Sequence, residues 1–166
     1  LVICRYLLEH STDPVASLQG FRHLMVEDGL LYIEVPDSSK FLSLLDYSFI
    51  WEEHICYFTE DTFRTCAQKA GYEIVQFIRF PGELEDALVF VLRATKQLHY
   101  QKTTMHERKN SDTFIRYREE FENVKQHYLT SLNGITADGV KKVAIFGAGH
   151  QSIMFVNALG LAHQFS

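Results

Sequence analysis

The chain has 166 residues, of which 46% are apolar and 22% charged. That balance belongs to a globular protein and excludes a disordered or low-complexity one. The 16 Lys and Arg against 21 Asp and Glu leave a net charge of −5, so no basic field favours nucleic acid or an anionic membrane.

No apolar run is long enough to span a bilayer, and no signal peptide is visible. Cys4, Cys56 and Cys66 make no metal-binding spacing. Their odd number, without an export signal, points to reduced thiols in a cytoplasm.

In chain order, LVICRYLL reads as a strand apolar on both faces, as in the interior of a parallel sheet. Asp13-Pro14 is the N-cap and first position of a helix carrying Val15, Leu18, Phe21, Leu24 and Met25, closed by Asp28-Gly29. LLYIEVP is a second buried strand ended by Pro36, and the βαβ order calls for a right-handed parallel crossover. Residues 37–58 lack periodicity and are rich in aromatics, which suggests a functional loop or lid. Thr59 caps a helix with Phe63, Cys66, Ala67 and Ala70, stopped by Gly71. YEIVQFIRF and ALVFVLRAT, six residues apart, read as an antiparallel hairpin.

Residues 96–112 are polar and read as a linker or a frayed helix start. Phe114, Tyr117, Phe121, Val124, Tyr128 and Leu132 then mark one long amphipathic helix ended by Asn133-Gly134. KKVAIF, a glycine turn and a final helix close the chain. A lone βα unit cannot bury both faces of its strand, so both ends read as cut and the chain as an internal piece of a longer protein.

Three features could carry chemistry. Trp51-Glu52-Glu53-His54-Ile55-Cys56-Tyr57-Phe58 sets a histidine beside carboxylates, and an imidazole with an ordinary pKa of about 6.5 can act as a general base near neutrality. The same residues also suit a solvated surface histidine. Leu8-Glu9-His10, with Glu34 and Asp37, lies at the carboxyl ends of the first two strands, where open α/β sheets bind ligands. Glu9 and His10 equally suit a turn that caps the next helix. In Phe146-Gly147-Ala148-Gly149-His150, Gly147 and Gly149 would let the backbone approach a phosphate at a helix N-terminus, with His150 reaching it through its ring. Only G-x-G is present, and a ligand-free tight turn fits as well.

The segment from LVICRYLLEH to GLLYIEVPD resembles the part of class I S-adenosylmethionine-dependent methyltransferases that follows the cofactor loop. EEHICYFTEDTF resembles a motif of the sugar-nucleotide C-methyltransferases, and VAIFGAGHQS resembles the start of their C-terminal domain. The implied fold is α/β. Residues 1–95 would form a partial methyltransferase domain from its fourth strand onward, with an antiparallel end hairpin. Residues 96–139 would hold the linker and long helix, and 140–166 the first βα unit of a second Rossmann-like domain.

The implied reaction is C-methylation of a nucleotide-linked keto-sugar through an enolate. His54 would be the base and Glu53 its acidic partner. The family's tyrosine falls on Trp51, which cannot replace a phenol's acid/base chemistry, so either Tyr47 or Tyr57 would serve instead or the substrate differs. Arg5 and Tyr6 would contact S-adenosylmethionine, whose main loop would lie upstream, together with a zinc module. Gly147, Gly149 and His150 would bind the substrate's nucleotide. The acceptor would sit under the aromatic loop. The other readings are a methyltransferase of another acceptor class and a non-enzymatic nucleotide-sugar-binding module.

Overall fold

The computed structural model describes residues 1–83, 85–95, 105–137, 142–147 and 149–165. The chain divides into two compact units, Leu1–Lys40 with Glu53–Ser111, and Phe41–Glu52 with Asp112–Ser166.

The first unit is built on a four-stranded sheet of β1 (Val2–Arg5), β2 (Leu30–Asp37), β3 (Tyr72–Phe80) and β4 (Asp86–Ala94). The spatial order is β1-β2-β4-β3. β1 and β2 are parallel, with Val2 opposite Leu31 and Arg5 opposite Glu34. β4 runs antiparallel to both β2 and β3 and lies between them. The hairpin is therefore formed as expected, across a five-residue connection (81–85), and its second strand is the one that joins β2.

Local chemistry sets the helices. Asp13 caps α1 (Pro14–Phe21) by accepting from the Ala16 N–H at 2.9 Å. Pro14 stands at a position whose missing N–H costs nothing. Thr59 and Thr62 form a reciprocal capping box at the start of α3 (Glu60–Lys69). Gly71, at φ +83°, takes the left-handed turn that follows α3. α1 and α3 cover the sheet over a core that includes Leu18, Leu31, Ile33, Phe63, Ala67, Phe90 and Leu92, each fully buried. Phe63 stacks on Phe90 with ring centroids 4.0 Å apart.

The structure corrects several expectations in this unit. The opening apolar run gives a strand of only four residues, shorter than LVICRYLL; it pairs with β2 alone among the described residues, as a strand cut from its other neighbours would, and Ile3 is 62% exposed. α1 stops at Phe21, and the chain tightens into a 3-10 turn over Arg22–Leu24. β2 continues through Pro36 to Asp37. The Tyr6 N–H donates to the Glu34 carbonyl at 2.9 Å, so Glu34 turns its backbone toward β1. Pro36, two residues on, faces the same way, but the β1 pairing ends at Arg5, and its missing N–H breaks no ladder bond.

In the second unit residues 41–52, expected as part of a loop or lid, pack into a core with the later helices. Residues 39–44 form α2 (Ser39–Leu44), and Phe41 and Tyr47 are buried, whereas Trp51 is exposed. Phe41 stacks on Phe49 at 4.6 Å, and Tyr47 packs on Tyr117 at 4.3 Å and on Phe121 at 5.0 Å. The Tyr47 hydroxyl donates to the Tyr117 carbonyl, and the Tyr117 hydroxyl donates to the Asp46 carbonyl. Buried Leu159 and Leu161 complete this core.

The expected single helix is two, α4 (Met105–Glu119) and α5 (Phe121–Ala137), meeting at Glu120. α4 begins inside the stretch expected as a linker, of which residues 96–104 lie outside the described residues. Gly134 is not among the glycines with positive φ, so it continues α5 and does not cap it.

Residues 142–147 are not a strand. A strand requires a ladder partner, and none of the described residues provides one; Phe146 is fully exposed. Lys141 and Ala148 lie outside the described residues. The final helix, α6 (His150–Ala158), does follow the glycine turn.

Cys4, Cys56 and Cys66 are free thiols, and burial pushes Cys66 up to about 12. Among the described residues no helix is long and apolar enough to cross a membrane.

Truncating Phe63 would remove a fully buried ring from between α3 and β4. Phe63→Ala is expected to lower the unfolding free energy by about 3–5 kcal/mol. Denaturant titration of the two proteins, compared at equal slope, measures it.

Candidate functional site

Immediately after β1 the chain makes a tight turn over Leu8–His10 that buries Leu8 and Glu9 to 1% exposure. Residues 53–56 lie against this turn through four hydrogen bonds. The Glu9 carbonyl accepts from the N–H of Ile55 at 2.8 Å and of Cys56 at 2.9 Å. The Cys56 thiol donates to the Ser11 carbonyl at 3.3 Å. The fourth bond joins His10 Nδ1 to the Glu53 carbonyl at 2.8 Å. A carbonyl only accepts, so Nδ1 carries a proton, and Nε2 of a neutral His10 is left with its lone pair.

This clamp brings together two motifs 44 residues apart. The His54 ring meets the His10 ring edge to face, with centroids 4.9 Å apart. Tyr57 lies 6.2 Å from His54, also edge to face. The Tyr47 hydroxyl, the other phenol expected near the site, donates to the Tyr117 carbonyl. Glu53 engages His10 through its main chain, and its side chain is exposed.

Behind the two rings lies Glu9. His10 Nε2 stands 3.9 Å from Glu9 Oε1. Neither carboxylate oxygen of Glu9 has a hydrogen-bond partner among the described residues. Burial pushes its carboxyl above the ordinary range.

The other carboxylates at the strand ends are satisfied. Arg5 pairs with Glu34, and Tyr32 donates to Glu34 Oε2 at 3.2 Å. The Arg5 hydrogen bond holds the Glu34 carboxyl below the ordinary range. Arg79 pairs with Asp37 at 2.8 Å. Tyr6, at φ +47°, is a left-handed residue at the end of β1, and its ring is 41% exposed.

In the second unit, His150 is held by the segment before the EEH motif. Its Nε2 donates to the Ile50 carbonyl at 2.9 Å, its Nδ1 lies 3.4 Å from Glu52 Oε2, and its ring stacks on Trp51 at 4.2 Å. Both ring nitrogens are thus engaged within the protein. The two glycines of this turn also differ. Gly147 has φ +150°, and a Cβ there would lie 2.7 Å from Ser152 Oγ; Gly149 has φ −77° and open space around it. The conformational demand falls on Gly147, and Gly149 occupies a backbone region open to any residue.

With this geometry in view, the comparisons with known proteins bear on the first unit. Residues 1–77 match a family described as a methyltransferase domain. The matched stretch contains Glu9, His10, Glu53, His54 and Tyr57. The chain resembles class I methyltransferases. It is 27% identical to the C-methyltransferase NovU of Streptomyces niveus over 172 aligned residues, covering 99% of the chain. It spans 41% of the length of that relative.

Glu34 and Asp37 are both paired with arginines. Arg5 has its guanidinium on Glu34 with its side chain 60% exposed, and Tyr6 is 41% exposed, so both residues expected at the cofactor reach the surface.

Two predictions follow from this geometry. Because the Glu34 carboxyl is held low in the folded state, its pairing stabilises the fold above the unfolded glutamate value of about 4.3 and is lost as pH falls through the lower folded value. The stability gap between wild type and Glu34→Gln should therefore be full at neutral pH and close on acidification, as read by thermal melts across pH. At the glycine turn, Gly147→Ala should cost about 1 kcal/mol or more, and Gly149→Ala should stay within about 0.5 kcal/mol. Denaturant midpoints of the two variants decide it.

Proposed function

We propose that this chain is the acceptor side of an S-adenosylmethionine-dependent C-methyltransferase that methylates a nucleotide-linked keto-sugar beside its carbonyl. The observation that carries the reading is the pairing of His54 with His10 and Tyr57 over the Leu8–His10 turn. The match of residues 1–77 to a methyltransferase domain supports the transfer class. The likeness to a protein named as a C-methyltransferase supports carbon as the acceptor atom. The sugar-nucleotide part rests on the resemblance of the EEHICYF segment.

A proton beside a ketone is weakly acidic. Its removal needs a base in hydrogen-bond reach and a donor for the oxygen that becomes negative. His54 is the base: its ring is partly exposed, on a segment held by main-chain bonds to the turn after β1. Tyr57 is the phenolic donor beside it. His10 packs against His54 and fixes the orientation of that ring, itself anchored by the Glu53 carbonyl. The methyl group is what S-adenosylmethionine supplies to this chemistry.

In the whole protein, His54→Ala should reduce kcat on a keto-sugar nucleotide about a hundredfold or more, the scale of a lost general base. Affinity for S-adenosylmethionine, measured by calorimetry, should remain at the wild-type value. Turnover within a few-fold of wild type would remove His54 from the chemistry.

A further inference from the structure

We propose that Glu9, His10 and His54 form a binding site for a divalent transition cation of the zinc type. The inference stands on the geometry of the cluster and does not depend on the methyl-transfer reading.

One ligand atom from each of the three residues lies within 4.8 Å of the others. Two imidazoles and one carboxylate are a donor set that suits zinc and its first-row neighbours, with a coordination position left for water or a ligand. With metal–ligand bonds of about 2.0–2.1 Å, tetrahedral donors stand about 3.3 Å apart. His10 Nε2 and Glu9 Oε1 are already at 3.9 Å, so small side-chain rotations close the site.

The second observation is independent of that spacing. Glu9 is 1% exposed, and among the described residues neither of its carboxylate oxygens has a hydrogen-bond partner. A buried carboxylate left so is unfavourable unless it gains a proton or a cation. His10 is meanwhile arranged as metal-bound histidines are. Its Nδ1–H is held by the Glu53 carbonyl, which fixes the tautomer and directs the Nε2 lone pair to the Glu9 side. His54 lies across the opening with its ring 4.9 Å from that of His10. Both histidines are partly exposed, which leaves an entry path to the buried carboxylate.

Titration of the untagged full chain with Co²⁺ should give visible d–d absorption saturating at one equivalent, and Zn²⁺ should bleach it by displacement. Glu9→Gln keeps the shape of the side chain but removes its charge, and should weaken Co²⁺ binding by at least about tenfold. His54→Asn, at a partly exposed position that leaves the core intact, should do the same if Glu9→Gln fails to fold. Circular dichroism establishes folding of each variant. Absence of a Co²⁺ spectrum in the wild type would overturn the proposal. So would a spectrum unchanged in Glu9→Gln or, where that variant is unfolded, in His54→Asn.

Discussion

The candidate site depends on one acceptor. The carbonyl of Glu9 receives the N–H groups of both Ile55 and Cys56, and this shared bond decides where the EEH segment lies. Two main-chain bonds to one acceptor hold the segment in this register. From that register follow the Glu53 carbonyl on His10, the His54 ring on the His10 ring, and Tyr57 beside both. Cys56 adds its thiol to the Ser11 carbonyl and so extends the clamp by one more residue of the turn.

The clamp also fixes an electrostatic problem in place. Leu8 and Glu9 are buried together, and the turn that hides Leu8 in the core carries a carboxylate in with it. Arg5, four residues earlier, is engaged by Glu34 and gives Glu9 no counter-charge. An expensive group of this kind persists where it has a use, and perturbed carboxyls cluster at functional sites. The lone pair of His54 can take a proton or a cation but not both. The proposed base chemistry and the proposed cation site therefore exclude one another at any instant.

What was legible in the sequence was local. Asp13-Pro14, Thr59 with Thr62, and Gly71 act through bonds within a few residues, and each lies where its chemistry implies. The short connection between YEIVQFIRF and ALVFVLRAT forced an antiparallel pair, but nothing within either strand says that β4 rather than β3 joins β2. Longer-range partners were hidden. Tyr47 finds its core against Tyr117, seventy positions away, so the aromatic segment reads like a lid when taken alone. KKVAIF has strand composition, yet composition supplies no ladder partner. At the site, His54 and the Glu9-His10 pair each stood out as a motif. Their meeting did not, because it rests on main-chain bonds that leave no trace in residue type.

The most direct measurement is a nuclear Overhauser experiment on the folded chain with its histidines isotopically labelled. Edge-to-face rings 4.9 Å apart place protons of His10 and His54 within dipolar range, so a cross-peak between the two imidazoles is expected. His10 should also show its proton on Nδ1, bonded to the Glu53 carbonyl. Well-resolved signals from both rings with no cross-peak, and with His10 protonated on Nε2 alone, would contradict the account.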